Sequence, residues 1–281
     1  MFADKLHEGF NAEDILVDGL PLHEFSENMD ESMHNLFNRN LFLVTRMFDS
    51  RAQSFIKHIL MKSDKSGLKV KNFCYRIEFQ ARGMPHIHGV LWLERESIKK
   101  YLIDEFGFEF DPKEVPKFVD TIISCSTSTD DDVLNEIVRE VQIHHHTKSC
   151  RKGKQNYCRF GYPKPPSRKT IIAVPLGEEM DKDEKQKKLQ LYRDTMTKVK
   201  KALESPDLNE DQDLDSFLSM LEIDPKLYQE ALSVSERGKT VVLKRSLKDR
   251  FVNNYNPMFL KAWNGNMDLQ FCHDTYAGNF Y

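Results

Sequence analysis

The stretch N-F-C-Y-R-I-E-F-Q-A-R-G-M-P-H-I-H-G-V-L-W-L, residues 72–93, decides how the chain is read. Phe73, Tyr75, Ile77 and Phe79 alternate with Cys74, Arg76, Glu78 and Gln80, the period of a half-buried strand. Gly83 and Pro85 mark a short connection, and His86–Leu93 reads as a second, more apolar strand suited to a central position. The two strands predict an antiparallel hairpin. Side chains two apart share a face, so His86 and His88 present both imidazoles to one side. If residues 81–85 form the loop, Gln80 sits opposite His86 and Glu78 opposite His88. Two imidazoles, a carboxylate and an amide then occupy one patch, which suffices for a divalent ion. The competing reading is a set of satisfied polar residues at a strand end.

Outward from the hairpin, residues 31–61 are predicted helical. Their apolar face runs through Leu36, Leu41, Val44, Met47, Phe48, Phe55, Ile59 and Leu60, and Lys62–Gly67 breaks it. Glu94–Tyr101 and Asp132–Val141 read as short helices, and Glu178–Glu204 as a long solvated one. Leu214–Leu221 and Lys226–Leu232 add two short helices, while Thr240–Leu243 and Met267–Phe271 have strand character. The segment 178–235 differs in composition from its flanks and reads as a charged helical insertion.

With 281 residues, 40% of them apolar and 30% charged, the chain has the composition of a globular protein with ample core. No apolar run has the length of a signal peptide or a membrane span, so the expectation is an intracellular protein without a membrane partner. Net charge is -3, yet residues 141–177 contain no acidic side chain and eight lysines and arginines. That local stripe suits a phosphate backbone, although a solvated basic loop has the same appearance.

The stripe coincides with V-Q-I-H-H-H-T-K-S-C-R-K-G-K-Q-N-Y-C-R-F-G-Y-P-K-P-P, residues 141–166. His146 and Cys150 stand one turn or one tight loop apart. Cys158 can close a four-ligand site with Cys125 or with His144. Thiolates with imidazole select Zn²⁺ in a closed structural site, the alternative being free thiols in a basic loop.

Residues 78–93, E-F-Q-A-R-G-M-P-H-I-H-G-V-L-W-L, resemble the metal motif of Helitron replication-initiator nucleases of the HUH endonuclease superfamily. The resemblance implies that His86, His88 and either Glu78 or Gln80 hold Mg²⁺ or Mn²⁺. Glu78 is the better third ligand for a hard cation. A similar H-x-H-T-x-x-C…C-R-F block follows in that family, matched here at His144, His146, Cys150, Cys158 and Phe160, which supports zinc. Arg151, Lys152, Lys154, Arg159 and Phe160 are then expected to bind single-stranded DNA, cations along the backbone and rings on bases.

The C-terminal run from Lys244, with N-M-D-L-Q-F-C-H-D-T-Y-A-G-N-F-Y at residues 266–281, looks like the same family. There, a strand leads into a helix carrying two catalytic tyrosines, one of which attacks the phosphate and leaves a 5′-phosphotyrosine. Tyr281 falls at the first of these positions. The second tyrosine, the family's F-x-T-x-S strand and the helicase of complete Helitron proteins are not found, which reads as truncation at both ends of the nuclease domain.

The fold implied is α+β: a central antiparallel sheet of HUH type flanked by helices, with the helical insertion and a small Cys/His zinc segment. Its parts are an N-terminal segment 1–37, the first nuclease part 38–124, the Cys/His segment 125–177, the insertion 178–235 and the end 236–281. The activity implied is nicking and strand transfer in rolling-circle transposition, acting in the nucleus. Two alternatives stand beside it, a catalytically dead nucleic-acid-binding relic and an unrelated histidine-pair phosphoesterase.

Overall fold

The computed structural model describes residues 16–17, 20–21, 40–62, 68–79, 85–101, 111, 113–147, 150, 158–236 and 238–272. It is an α+β structure whose strands pair, among the described residues, in three two-stranded antiparallel sheets. The chain divides into two compact units, residues 1–63 with 69–94, and residues 64–68 with 95–281.

In the first unit, β1 (Leu16–Val17) pairs with β2 (Leu20–Pro21), and α1 (Leu41–Phe55) runs into a π-helical turn, Ile56–Leu60. The buried stripe of α1 is Val44, Phe48, Ala52 and Ile56, spaced at four residues. Leu41, the first residue of the helix and on the same face, is 42% exposed. Residues 31–39 of the predicted helix lie outside the described residues.

The decisive element is the hairpin of β3 (Val70–Phe79) and β4 (Pro85–Leu93). Glu78 stands opposite His86 and Arg76 opposite His88, with Phe79 opposite Pro85. The expected register, with Glu78 opposite His88, is therefore displaced by two residues: the described pairing ends at Phe79 and Pro85, and Gln80 lies outside the described residues. A displacement of two keeps every side chain on its face, where one residue would have reversed them. Gly89 faces Tyr75, and a Cβ there would meet the Cys74 carbonyl oxygen at 3.3 Å. Among the described residues β4 pairs with β3 alone, so the histidine strand is an edge of a two-stranded sheet and not the centre of a larger one as expected.

The second unit begins with α2 (Arg95–Ile98) and a 3₁₀ turn, and continues with α3 (Val115–Ile122) and α4 (Asp132–Ile137). Helix α4 extends through a second π-helical turn, Val138–Gln142. Strand β5 (Ile171–Ala173) pairs with β6 (Thr240–Val242). Between them lie α5 (Lys182–Leu203), α6 (Leu214–Met220) and α7 (Pro225–Ser233). Helix α5 forms because Asp181 accepts from the Asp183 and Glu184 amides, and because acids at its start and Lys200 and Lys201 at its end suit its dipole. Its buried residues are Tyr192, Thr195, Val199 and Leu203, of which Val199 and Leu203 join Phe217, Leu218, Tyr228, Leu232 and Leu247 in one core.

Helix α8 (Pro257–Trp263) closes a second core of Leu134, Val138, Val252, Tyr255 and Leu260. The run read as family-like from Lys244 does structural work here. Asp249 accepts from Thr127 N–H and Oγ1–H (2.8 and 2.7 Å), and Asn256 caps α8 while donating to the Ile122 carbonyl (2.8 Å). Residues 267–271, expected as a strand, join no ladder; Leu269 N–H reaches a single backbone partner, the Asn254 carbonyl, at 3.0 Å.

Two candidate metal centres

The first centre is on the hairpin. Alternation brings Glu78, His86 and His88 to one face, and Glu78 Oε2 lies 3.5 Å from His86 Nε2 and 3.1 Å from His88 Nε2. The two imidazoles meet edge to face with centroids 4.7 Å apart, and the three ligand atoms all lie within 4.8 Å of one another. Two ligands at 2.0–2.1 Å on adjacent corners of an octahedron are separated by about 3 Å, so the trio can cap one face of a Mg²⁺- or Mn²⁺-sized ion. Two nitrogens and one carboxylate leave further positions open for water or a phosphate oxygen. His86 Nδ1 is buried and finds no hydrogen-bond partner among the described residues.

Arg76, not among the residues expected at the site, shares this face, and its guanidinium pairs with Glu78 Oε1 at 2.6 Å. Its signal was present in the sequence, since it stands two residues before Glu78. Gln80, the other candidate third ligand, lies outside the described residues.

The second centre is in the Cys/His segment of the second unit. Ile143 bridges Val252, and His144 N–H donates to the Phe251 carbonyl (2.8 Å), so the segment runs extended beside 251–253. Extended backbone sends His144 and His146 to one side and leaves His145 exposed on the other. Cys150 and Cys158 are 1% and 4% exposed. His144 Nε2 lies 3.3 Å from Cys158 Sγ and His146 Nδ1 lies 3.5 Å from Cys150 Sγ, with all four ligand atoms within 4.8 Å of one another. Zn–S of about 2.3 Å and Zn–N of about 2.0–2.1 Å at tetrahedral angles set a nitrogen-to-sulfur edge of roughly 3.5 Å. The spacing fits zinc.

The surroundings suit a closed site. Tyr162 stacks on His144 with centroids 4.4 Å apart, Phe251 meets His146 edge-on at 5.6 Å, and Thr147 N–H donates to Cys150 Sγ at 3.2 Å. Burial, followed by the positive fields of His146, His145 and Lys164, holds the His144 pKa down to about 4, so its ring is neutral and free to donate a lone pair near pH 7. Cys125 stands apart from this group. Its thiol donates to the Lys244 carbonyl (3.2 Å), and burial pushes its pKa up to about 11.

Of the residues expected to touch DNA, Phe160 is 47% exposed, and the Arg159 guanidinium lies over its ring at 4.4 Å. Lys164 Nζ sits 4.8 Å from the centre of the Tyr162 ring and donates to the Phe160 carbonyl. Arg151, Lys152, Lys154 and Tyr281 lie outside the described residues.

Residues 20–91 match the family model of the Helitron helicase-like domain at the N-terminus. The matched stretch contains Glu78, His86 and His88, and it ends before the Cys/His segment begins. No curated protein and no solved structure matches the chain. Among the described residues, no helix is long and apolar enough to cross a membrane.

Proposed function

We propose that the chain carries the nuclease chemistry of a Helitron-type rolling-circle transposase: metal-dependent nicking of single-stranded DNA and strand transfer through a tyrosine. The single observation carrying this reading is the convergence of Glu78, His86 and His88 on one hairpin face inside the Helitron-matched stretch. Glu78, His86 and His88 would hold a hard divalent cation, which would supply Lewis acidity to the scissile phosphate. Arg76 adds a positive charge to the same face and can take up a phosphate oxygen once Glu78 turns to a cation.

Tyr281 is the proposed nucleophile. Its phenolic oxygen forms the new bond to phosphorus and loses its proton, the bond to the 3′ oxygen breaks, and that oxygen takes up a proton. The products are a 5′-phosphotyrosine and a free 3′-hydroxyl.

The Cys/His group is proposed as a structural zinc site that holds Arg159 and Phe160 for single-stranded DNA, ring on base and cation on phosphate. Such a protein acts where the genome is, in the nucleus of a eukaryotic cell.

Incubation with a single-stranded oligonucleotide and Mn²⁺ tests the reading. Cleavage that disappears on chelation and in the His86→Ala/His88→Ala variant supports it, while cleavage indifferent to both refutes it.

A further inference from the structure

His146 turns Nδ1 toward Cys150 and therefore turns Nε2 toward the end of α5. There it faces Glu204, the C-cap residue of α5, with Oε1 at 3.9 Å. The main chain at Glu204 and the aromatic ring beside His146 are held in place. Glu204 N–H bonds the Lys200 carbonyl (3.1 Å), and Arg250 Nε donates to the Leu203 carbonyl (2.8 Å) while its guanidinium lies over the Phe251 ring. That ring meets His146 edge-on. The contact thus joins the long helix to the Cys/His segment at the imidazole itself.

An imidazole that binds a metal through Nδ1 carries its proton on Nε2, and a carboxylate there fixes both tautomer and ring orientation. Closing 3.9 Å to a hydrogen bond needs about 1 Å of movement. Glu204 is 36% exposed and has solvent space in which to make it. Two thiolates already balance the charge of Zn²⁺, so a further carboxylate acts by raising the basicity of His146.

We propose that Glu204 is the outer positioning residue of the zinc site, accepting the Nε2–H of His146 and fastening α5 to the metal. This rests on the zinc reading of His144, His146, Cys150 and Cys158.

The test is zinc affinity by competition with a chromogenic chelator, on the full chain. Glu204→Ala is expected to weaken binding by about tenfold or more, the range for outer partners of metal-bound histidines. Glu204→Gln, which keeps an acceptor oxygen without the charge, falls between. Nitrogen-15 NMR of the zinc-loaded protein supplies a readout that a packing role would not move. The wild type should show zinc on His146 Nδ1 and a slowly exchanging Nε2–H that becomes fast in Glu204→Ala. Unchanged affinity and exchange, or zinc on Nε2, overturn the assignment and leave the zinc site standing. A wild-type chain that takes up no zinc overturns both.

Discussion

Glu78 reaches His88 diagonally across the hairpin, Oε2 to Nε2 at 3.1 Å, although the residue directly opposite His88 is Arg76. One carboxylate therefore spans both histidines of the pair, and its other oxygen holds the arginine. A cation bound by the proposed trio would compete with Arg76 for Glu78, and so would tie the positive charge available to a phosphate to occupancy of the site.

Glu78→Gln is accordingly expected to weaken Mn²⁺ binding by about tenfold or more, the cost of removing a charged ligand from a partly exposed site. Gln80→Ala should change it by less than about threefold. Titration followed by the electron paramagnetic resonance of free Mn²⁺ distinguishes the two.

How far the site was legible follows from these residues. Alternation alone put Glu78, His86 and His88 on one face, because side-chain direction has a period of two and survives an error of two in register. Loop length does not follow from composition, so Gln80 was placed opposite His86, where Glu78 stands. Arg76 was legible by the same rule. Glu204 was not, since 58 residues separate it from His146 and only the packing of α5 brings them together. The strand expected at 267–271 has apolar residues but no ladder, and sequence periodicity does not report whether a partner strand exists. The helices α4–α7 were legible because their caps and apolar spacing are local.

For the second centre, the sequence left Cys125 and His144 as rivals to complete the ligand set, and geometry favours His144. Cys125→Ala is expected to keep one zinc per chain and to cost about 1 kcal/mol of stability for the lost buried thiol. Cys158→Ser and His144→Ala should lose the zinc. Metal content by mass spectrometry together with thermal unfolding checks all three.

Asn256 is 1% exposed, caps α8 through Met258 and Phe259 amides at 3.1 Å, and satisfies the Ile122 carbonyl. Asn256→Ala removes a cap and strands a buried carbonyl, which predicts a loss of about 2 kcal/mol. Urea unfolding should show a lower midpoint at unchanged slope.

In the proposed single-strand binding, Phe160 would supply the stacking and Arg159 the charge. Phe160→Ala is expected to weaken binding by roughly tenfold at every salt concentration, the loss of one stacked base. Arg159→Ala should weaken it less and lower the salt slope by about one counterion. Fluorescence anisotropy of a labelled oligonucleotide across a salt series separates them.

The hairpin metal centre is proposed to serve a covalent nuclease. The direct measurement is transfer of label from a single-stranded oligonucleotide, marked 3′ of its cleavage site, onto the protein in Mn²⁺. The expected result is a labelled protein band that resists denaturant and is absent in His86→Ala/His88→Ala and in Tyr281→Phe. DNA that is bound without any labelled protein, or labelling that persists in those variants, would contradict it.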